Sequence, residues 1–475
     1  MKKFVYISLA FLMALTACRK EDDSLKLSSE TVTFGAEGGS QTIELKSGNA
    51  WTISTDGSTW YTVDPTSGSG DATLTITAEA YNESAGRSAL ITVASEGTLK
   101  FISVLQDISL ENGSSKTLVY NINRYAQDVT VPVDTKGYEV KVPSGVTLKS
   151  SETNEFTVSV GANEGEEILK YSIEVSKNGK LVENVLISQS WRTVDPGQLV
   201  ISEIFFTGAS LDDGSSDMRD GDQYIKLTNN CDETIYADGL LFVMSDRISQ
   251  KSTTGAEWVY PTLSDSIDVA TMYAIPGSGK DYPIAAGESV VLAMAAQDFS
   301  AASTNGINLS VANFEFYDEN DYVEDTDNPD VPNLVNWFKS SFTITGLHNR
   351  GYMSIAMVCV PANMTAETFM ANYQWVGKRT MDWNGYSFSR DIEDTYLVPN
   401  TWVIDGVNCA VEQDLGTLVF NASIDAGYTN VTTIDSDPDR YNKSVIRNID
   451  ANGKYVDTNN STNDFTISNP PTLKQ

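Results

Sequence analysis

The chain offers few groups that could do chemistry. It has 64 acidic residues, 32 basic ones and a single histidine, His348. His348 lies in Leu347-His348-Asn349-Arg350-Gly351, a polar turn ahead of the apolar run 352–360. A histidine base needs a carboxylate or a nucleophile within reach. No GxSxG elbow or HExxH pair supplies one, so a hydrogen-bonded structural histidine is expected. Two acids suffice for glycoside hydrolysis, but no two of the many acids stand out. Asp435, Asp437 and Asp439 alternate like the start of a calcium loop. Arg440 and Ile446 then stand where an EF-hand needs Gly and Glu. This stretch would hold a structural Ca²⁺ at most, and no other cofactor is expected. Asp and Asn also suit plain turns. Trp383 and Tyr386 flank Asn384-Gly385, which reads as a two-residue hairpin turn. Rings at a turn meet solvent more readily than rings in strand centres. Trp383, Tyr386 and the nearby Trp375 are therefore the expected ligand contacts.

Besides Cys18, the chain has three cysteines, Cys231, Cys359 and Cys409. They allow at most one disulfide. Cys359 and Cys409 sit in apolar runs and read as small buried hydrophobes. Without a CxxC pair, and with one histidine, the pattern argues against structural zinc.

The elements that must position these groups read as strands. From Leu25 to Gln106, short runs alternate apolar and polar residues, as in Thr73-Leu74-Thr75-Ile76-Thr77 and Ala89-Leu90-Ile91-Thr92-Val93. Glycine-rich turns interrupt them about every ten residues. That pattern predicts a β-sandwich. Trp51 and Trp60 fall near such runs and suit the sandwich core better than a sugar-stacking face. Residues 108–192 repeat the pattern about 80 residues on. Phe156-Thr157-Val158-Ser159-Val160 stands for the Leu74 run, Asn163 for Asn82, Lys170 for Arg87, and Gln189 for Gln106. Thr193-Val194-Asp195-Pro196-Gly197 reads as a linker. Residues 193–475 form the largest unit, also strand-rich. The fold class expected is all-β: tandem immunoglobulin-like sandwiches as a stalk, then a larger sandwich with long loops.

The net charge of −32 repels phosphate backbones and excludes nucleic acid as a partner. Lys2, Lys3 and the apolar run 4–15 form a signal sequence too short to span a bilayer. Leu15-Thr16-Ala17-Cys18 resembles the lipobox of bacterial lipoproteins. The resemblance implies that residues 1–17 are removed and Cys18 is acylated. Acyl chains would then replace a membrane helix, each buried CH₂ contributing about 0.8 kcal/mol. The acidic tether 18–24 resembles the signal that sends Bacteroidota lipoproteins to the outer face of the outer membrane.

Further resemblances cover the rest. Gly38-Gly39, Trp51, Trp60, Pro65, Ser67-Gly68, Asn82, Arg87 and Gln106 fall as in BACON domains, which take their name from a proposed carbohydrate-binding role. The resemblance covers 25–107, and 108–192 looks like a degenerate copy. Leu199-Val200-Ile201-Ser202-Glu203-Ile204, Tyr224-Ile225-Lys226-Leu227-Thr228-Asn229 and Ala286-Gly287-Glu288 resemble lamin-tail domains. Gln223 and Lys226 stand where acids are usual there. Asn313-Phe314-Glu315-Phe316-Tyr317-Asp318, Asp330-Val331-Pro332-Asn333-Leu334, Ile404-Asp405-Gly406-Val407 and Asp457-Thr458-Asn459-Asn460-Ser461 resemble an uncharacterised family of Bacteroidota lipoproteins. That family is often encoded beside TonB-dependent receptors and has no assigned chemistry. The expectation is a non-catalytic surface protein that captures a glycan or other nutrient for such a receptor. A carboxylate hydrolase and a structural or adhesive protein are the alternatives.

Overall fold

A computed structural model describes residues 25–474 apart from 56, 82–86, 96–97, 107–116, 134–136, 179, 216–220, 253–255 and 319–320. Cys18, the tether and Asn82 thus lie outside the described residues. No helix is long and apolar enough to cross a membrane among the described residues.

The first unit is a sandwich of a four-stranded and a five-stranded sheet. Alternation decides its burial. In Arg87–Ser95, Ala89, Ile91 and Val93 face inward, while their neighbours are only partly covered. Trp51 fills the core, its indole N–H donating to Gly70 O at 2.9 Å. A side chain at Gly68 would come within 2.5 Å of that ring, so glycine is required there. The closing Gln106 donates from its amide to Gly35 O and Glu79 O at 3.1 and 2.7 Å, and accepts from Arg87. Arg87 in turn lies over Trp60 and Tyr81 at 4.4 and 4.0 Å. Trp51, Trp60, Arg87 and Gln106 therefore hold the sandwich together.

The second unit repeats this design with four-stranded and three-stranded sheets. In both units an early strand runs parallel to the last: Thr31–Phe34 beside Thr98–Gln106, and Thr117–Ile122 beside Lys180–Gln189. Gln189 donates to Gly161 O at 2.8 Å, matching the Gln106 to Glu79 bond.

The stretch 193–197 is not a free linker. Val194 is fully buried in the core of the C-terminal unit, and Trp191 joins a second core there. Arg124 donates to Val360 O, and Arg192 to Thr401 O. Apolar burial, not turn residues, decides this junction, and the second sandwich docks on the third unit.

The C-terminal unit packs a six-stranded sheet against a five-stranded one. Leu199–Phe205, Tyr224–Asn229 and Ser289–Ala293 lie in the first. Leu241–Ile248, Thr271–Ala274, Met353–Val358 and Val403–Val407 lie in the second. Phe242 and Met244 point between the sheets, whereas Leu241 and Val243 point to a separate core on the outer face. That second core is covered by Phe369 of the helix Ala366–Asn372 and by Trp402. Sheets covered on both faces explain why these strands read as unbroken apolar runs. Beyond this outer layer projects the two-stranded ribbon Lys378–Trp383 and Tyr386–Asp391.

Candidate functional site

The projecting ribbon starts from its turn. Asn384 and Gly385 both have positive φ, 50° and 80°, the conformation that matches strand twist in a two-residue hairpin. The turn fixes the register: Trp383 opposes Tyr386, Met381 opposes Phe388, and Arg379 opposes Arg390. Opposed residues share a face, so these six side chains lie on one side. Thr380 exchanges two backbone hydrogen bonds with Val259 at 2.7 and 2.9 Å, an isolated antiparallel bridge that ties the ribbon to the segment around Val259. Alternation then puts Trp258 and Tyr260 on the same face as Arg379. The contacts agree: Arg379 donates to Tyr260 Oη at 2.7 Å, and its guanidinium lies 5.1 Å from the Trp258 ring centre. Arg390 lies 5.7 Å from that ring.

This face is apolar, aromatic and open. Trp383 is 45% exposed, Tyr386 71% and Phe388 42%. These three rings are large apolar groups that the fold leaves in solvent. Its base is rigid. Tyr260 packs on Trp375 at 5.6 Å, and Arg247 lies over Trp375 while paired with buried Asp268 at 2.6 Å. Burial raises the Tyr260 hydroxyl above its ordinary pKa, so it stays a neutral hydrogen-bond partner for Arg379.

Of the sequence-expected contacts, Trp383 and Tyr386 stand at the tip of this face. Trp375 does not: it is 4% exposed. It follows the helix Ala366–Asn372 rather than the hairpin turn, and the ribbon's root closes over it, so it supports the platform without facing a ligand. Trp258, Tyr260, Phe388, Arg379 and Arg390 were not expected. Extending the register outward from Asn384-Gly385 would have found the last three.

The remaining candidates are occupied by structural work. Asp435 pairs with Arg350 at 3.0 Å and accepts from Tyr352 Oη at 2.5 Å. Asp437 accepts from the Asp439 N–H and from Thr432 Oγ1, capping a short 3-10 turn. These acids point to separate partners, and no cluster of three His, Cys, Asp or Glu that could hold a metal occurs among the described residues. His348 accepts the Arg350 N–H on Nδ1 at 3.3 Å and packs edge-on against Tyr352. Burial, and then Arg350, lower its pKa. A neutral ring in a tight turn is the structural role expected. Cys231, Cys359 and Cys409 are all free thiols, the last two buried; burial pushes Cys409 up to about 12.

The buried acids are saturated. Glu203 accepts from Tyr224 Oη at 2.7 Å, Ser444 Oγ at 2.8 Å and Thr472 N at 2.9 Å, which pins the chain's last residues to the sheet. Asp405 takes two hydrogen bonds from Arg447 at 2.6 and 2.9 Å. Asp425 accepts from the N–H groups of Asn408, Gly427 and Ser461 and from Ser461 Oγ. Gln223, where lamin-tail domains have an acid, uses its amide on Phe206 O, Leu347 O and Leu347 N.

With this geometry in place, the comparisons with known proteins fall into line with the units. Residues 285–472 match the family described as "Protein of unknown function (DUF4876)". Residues 49–107 match BACON, described as "Putative binding domain, N-terminal". No curated protein matches the chain. Among solved structures, a DUF4876 family protein from Bacteroides thetaiotaomicron aligns with 76% of this chain and 96% of its own, at 17% identity and TM-score 0.45. A Bacteroides ovatus GH5 xyloglucanase, in complex with a XXXG heptasaccharide, aligns over 22% of this chain at 23% identity and TM-score 0.17; the match spans only 27% of that enzyme. A protein from Bacteroides thetaiotaomicron solved by NMR aligns over 18% of this chain and 87% of its own, at 19% identity and TM-score 0.14. Two segments of this all-β chain thus match family models, 49–107 that of BACON and 285–472 that of DUF4876.

Proposed function

We propose that this chain is a lipid-anchored binding protein of the outer cell surface. Its ligand is a glycan, captured on the open face of the ribbon 378–391 and passed to a TonB-dependent uptake system. Its chemistry is adhesion to a sugar rather than bond cleavage. The observation that carries this reading is the row of exposed rings Trp383, Tyr386 and Phe388 on one rigid face. Sugar rings present flat C–H faces, which stack on aromatic rings while the sugar hydroxyls stay in water. The BACON and DUF4876 matches support a binding or accessory role. Cys18 as the lipid site, and the two sandwiches between it and the ribbon, support delivery of that face outward from the membrane. The saturated acids Glu203, Asp405 and Asp425 support a non-catalytic role, since none is free to act as acid or nucleophile in a pair.

The test is a glycan array probed with soluble full-length chain (Cys18→Ser) and with a W383A/Y386A double variant. Wild type should retain a defined set of glycans, and the double variant should lose them while melting within about 2 °C of wild type. Equal binding by both proteins would refute the assignment of the site.

A further inference from the structure

We infer that the glycan taken by this face carries a negative charge, a uronic-acid carboxylate or a sulfate ester, held by Arg379 and Arg390. The inference rests on the binding reading above and narrows its ligand class.

The two arginines are directly opposed across the ribbon. Like charges in that position repel, so the pair needs a compensating partner. No ion pair to either arginine occurs among the described residues. The Arg390 side chain makes no hydrogen bond or ion pair among the described residues; it lies over the face of Trp258. Every other described arginine donates at least one hydrogen bond. Arg379 donates one, to Tyr260, and its Nε has no acceptor. The acid whose field reaches Arg379, Asp246, is half-buried and hydrogen-bonded to Thr395. Asp391, next along the ribbon, is paired with Lys378 on the opposite face.

In a chain with twice as many acids as bases, chance would place a carboxylate beside the exposed Arg390. Leaving Arg390 open over Trp258, beside the half-buried Arg379, preserves a planar donor for an outside anion. Guanidinium groups pair with carboxylate or sulfate through two parallel hydrogen bonds. The rings of Trp383, Tyr386 and Phe388 continue the same face toward the turn, so one acidic sugar on the arginines leaves its neighbours on the aromatics. The charge also separates such a polymer from neutral glycans, which stack equally well but gain nothing from the arginines.

Affinity electrophoresis of the soluble full-length chain tests this. Polygalacturonate and chondroitin sulfate serve as acidic probes, xyloglucan and dextran as neutral ones. The expected result is retardation by at least one acidic polymer. It should weaken on the order of tenfold in R390Q, the loss expected for a charged hydrogen-bonded contact. R390K should restore part of it, because charge returns without the planar fork. Raising the salt to about 0.5 M should weaken it as well. Arg390 is exposed, so R390Q should melt like wild type, and R379Q is the second variant. Retardation by neutral polymers alone, unchanged in R390Q, would overturn the charge assignment and leave glycan capture standing. No retardation of wild type by any of the four would overturn both.

Discussion

At the scale of single residues, the distinction that matters is between polar groups the fold consumes and those it leaves open. Asp425 belongs to the first kind. It sits in the interior with three N–H groups and a hydroxyl aimed at it. Burial nevertheless raises its pKa from 3.8 to about 6. A carboxyl whose folded pKa lies above its unfolded one contributes stability that is complete below about pH 4. That contribution fades as pH rises through about 6. D425N cannot titrate, so the stability of wild type relative to D425N should fall between pH 4 and pH 7. The change should reach about 3 kcal/mol, read as the pH dependence of the urea midpoints of the two proteins. A constant difference across that window would contradict the assignment. Arg390 is the opposite kind, a charge that folding leaves unsatisfied.

At the scale of elements, the sequence marked the two ends of the range well and the middle poorly. Strands such as Ala72–Ala78 and Arg87–Ser95 were readable because one face is wet and the period of two survives. The hairpin turn at Asn384-Gly385 was readable because both residues must adopt positive φ. The ribbon beyond it was legible in principle, since the turn dictates which side chains share a face. Trp375 misled because proximity in sequence to exposed rings says nothing about which side of an element a ring falls on. Alternation of acids likewise does not report their partners: of Asp435, Asp437 and Asp439, the first pairs with Arg350 and the second accepts a backbone N–H. Arg447 shows how far such pairing organises the domain. It binds Ile201 O, Val456 O, Asp405 and Asp457, joining two sheets and a loop that are remote in sequence. R447M would leave three buried or part-buried acids, Asp405, Asp457 and Asp464, without their cation. A loss of about 3–5 kcal/mol is expected, measurable as a shift of the C-terminal unit's denaturation midpoint. A loss below about 1 kcal/mol would show that the network is incidental.

At the scale of the whole molecule, the repeat was legible because both copies close on the same glutamine, Gln106 and Gln189, with the same carbonyl partner position. The junction after the second copy was not. Pro196 and Gly197 suggested a linker, yet Trp191 and Val194 are buried with the third unit, and no local turn signal reports what a distant core will cover. The second sandwich therefore serves as a docked support for the C-terminal unit. It is tied by Arg124 and Arg192, which donate to Val360 O and Thr401 O. Seen at this scale, the ribbon 378–391 reaches beyond the covered sheets, and it carries open rings together with Arg390, whose side chain has no hydrogen bond or ion pair among the described residues. The most direct measurement is hydrogen exchange of the full-length chain with and without polygalacturonate, or whichever array glycan binds best. The account predicts slowed exchange in 378–391 and in the adjoining 257–261, with residues 49–107 unchanged. Protection confined to the face around Trp60, or to the exposed pair Tyr322 and Phe342, with none in the ribbon, would contradict it.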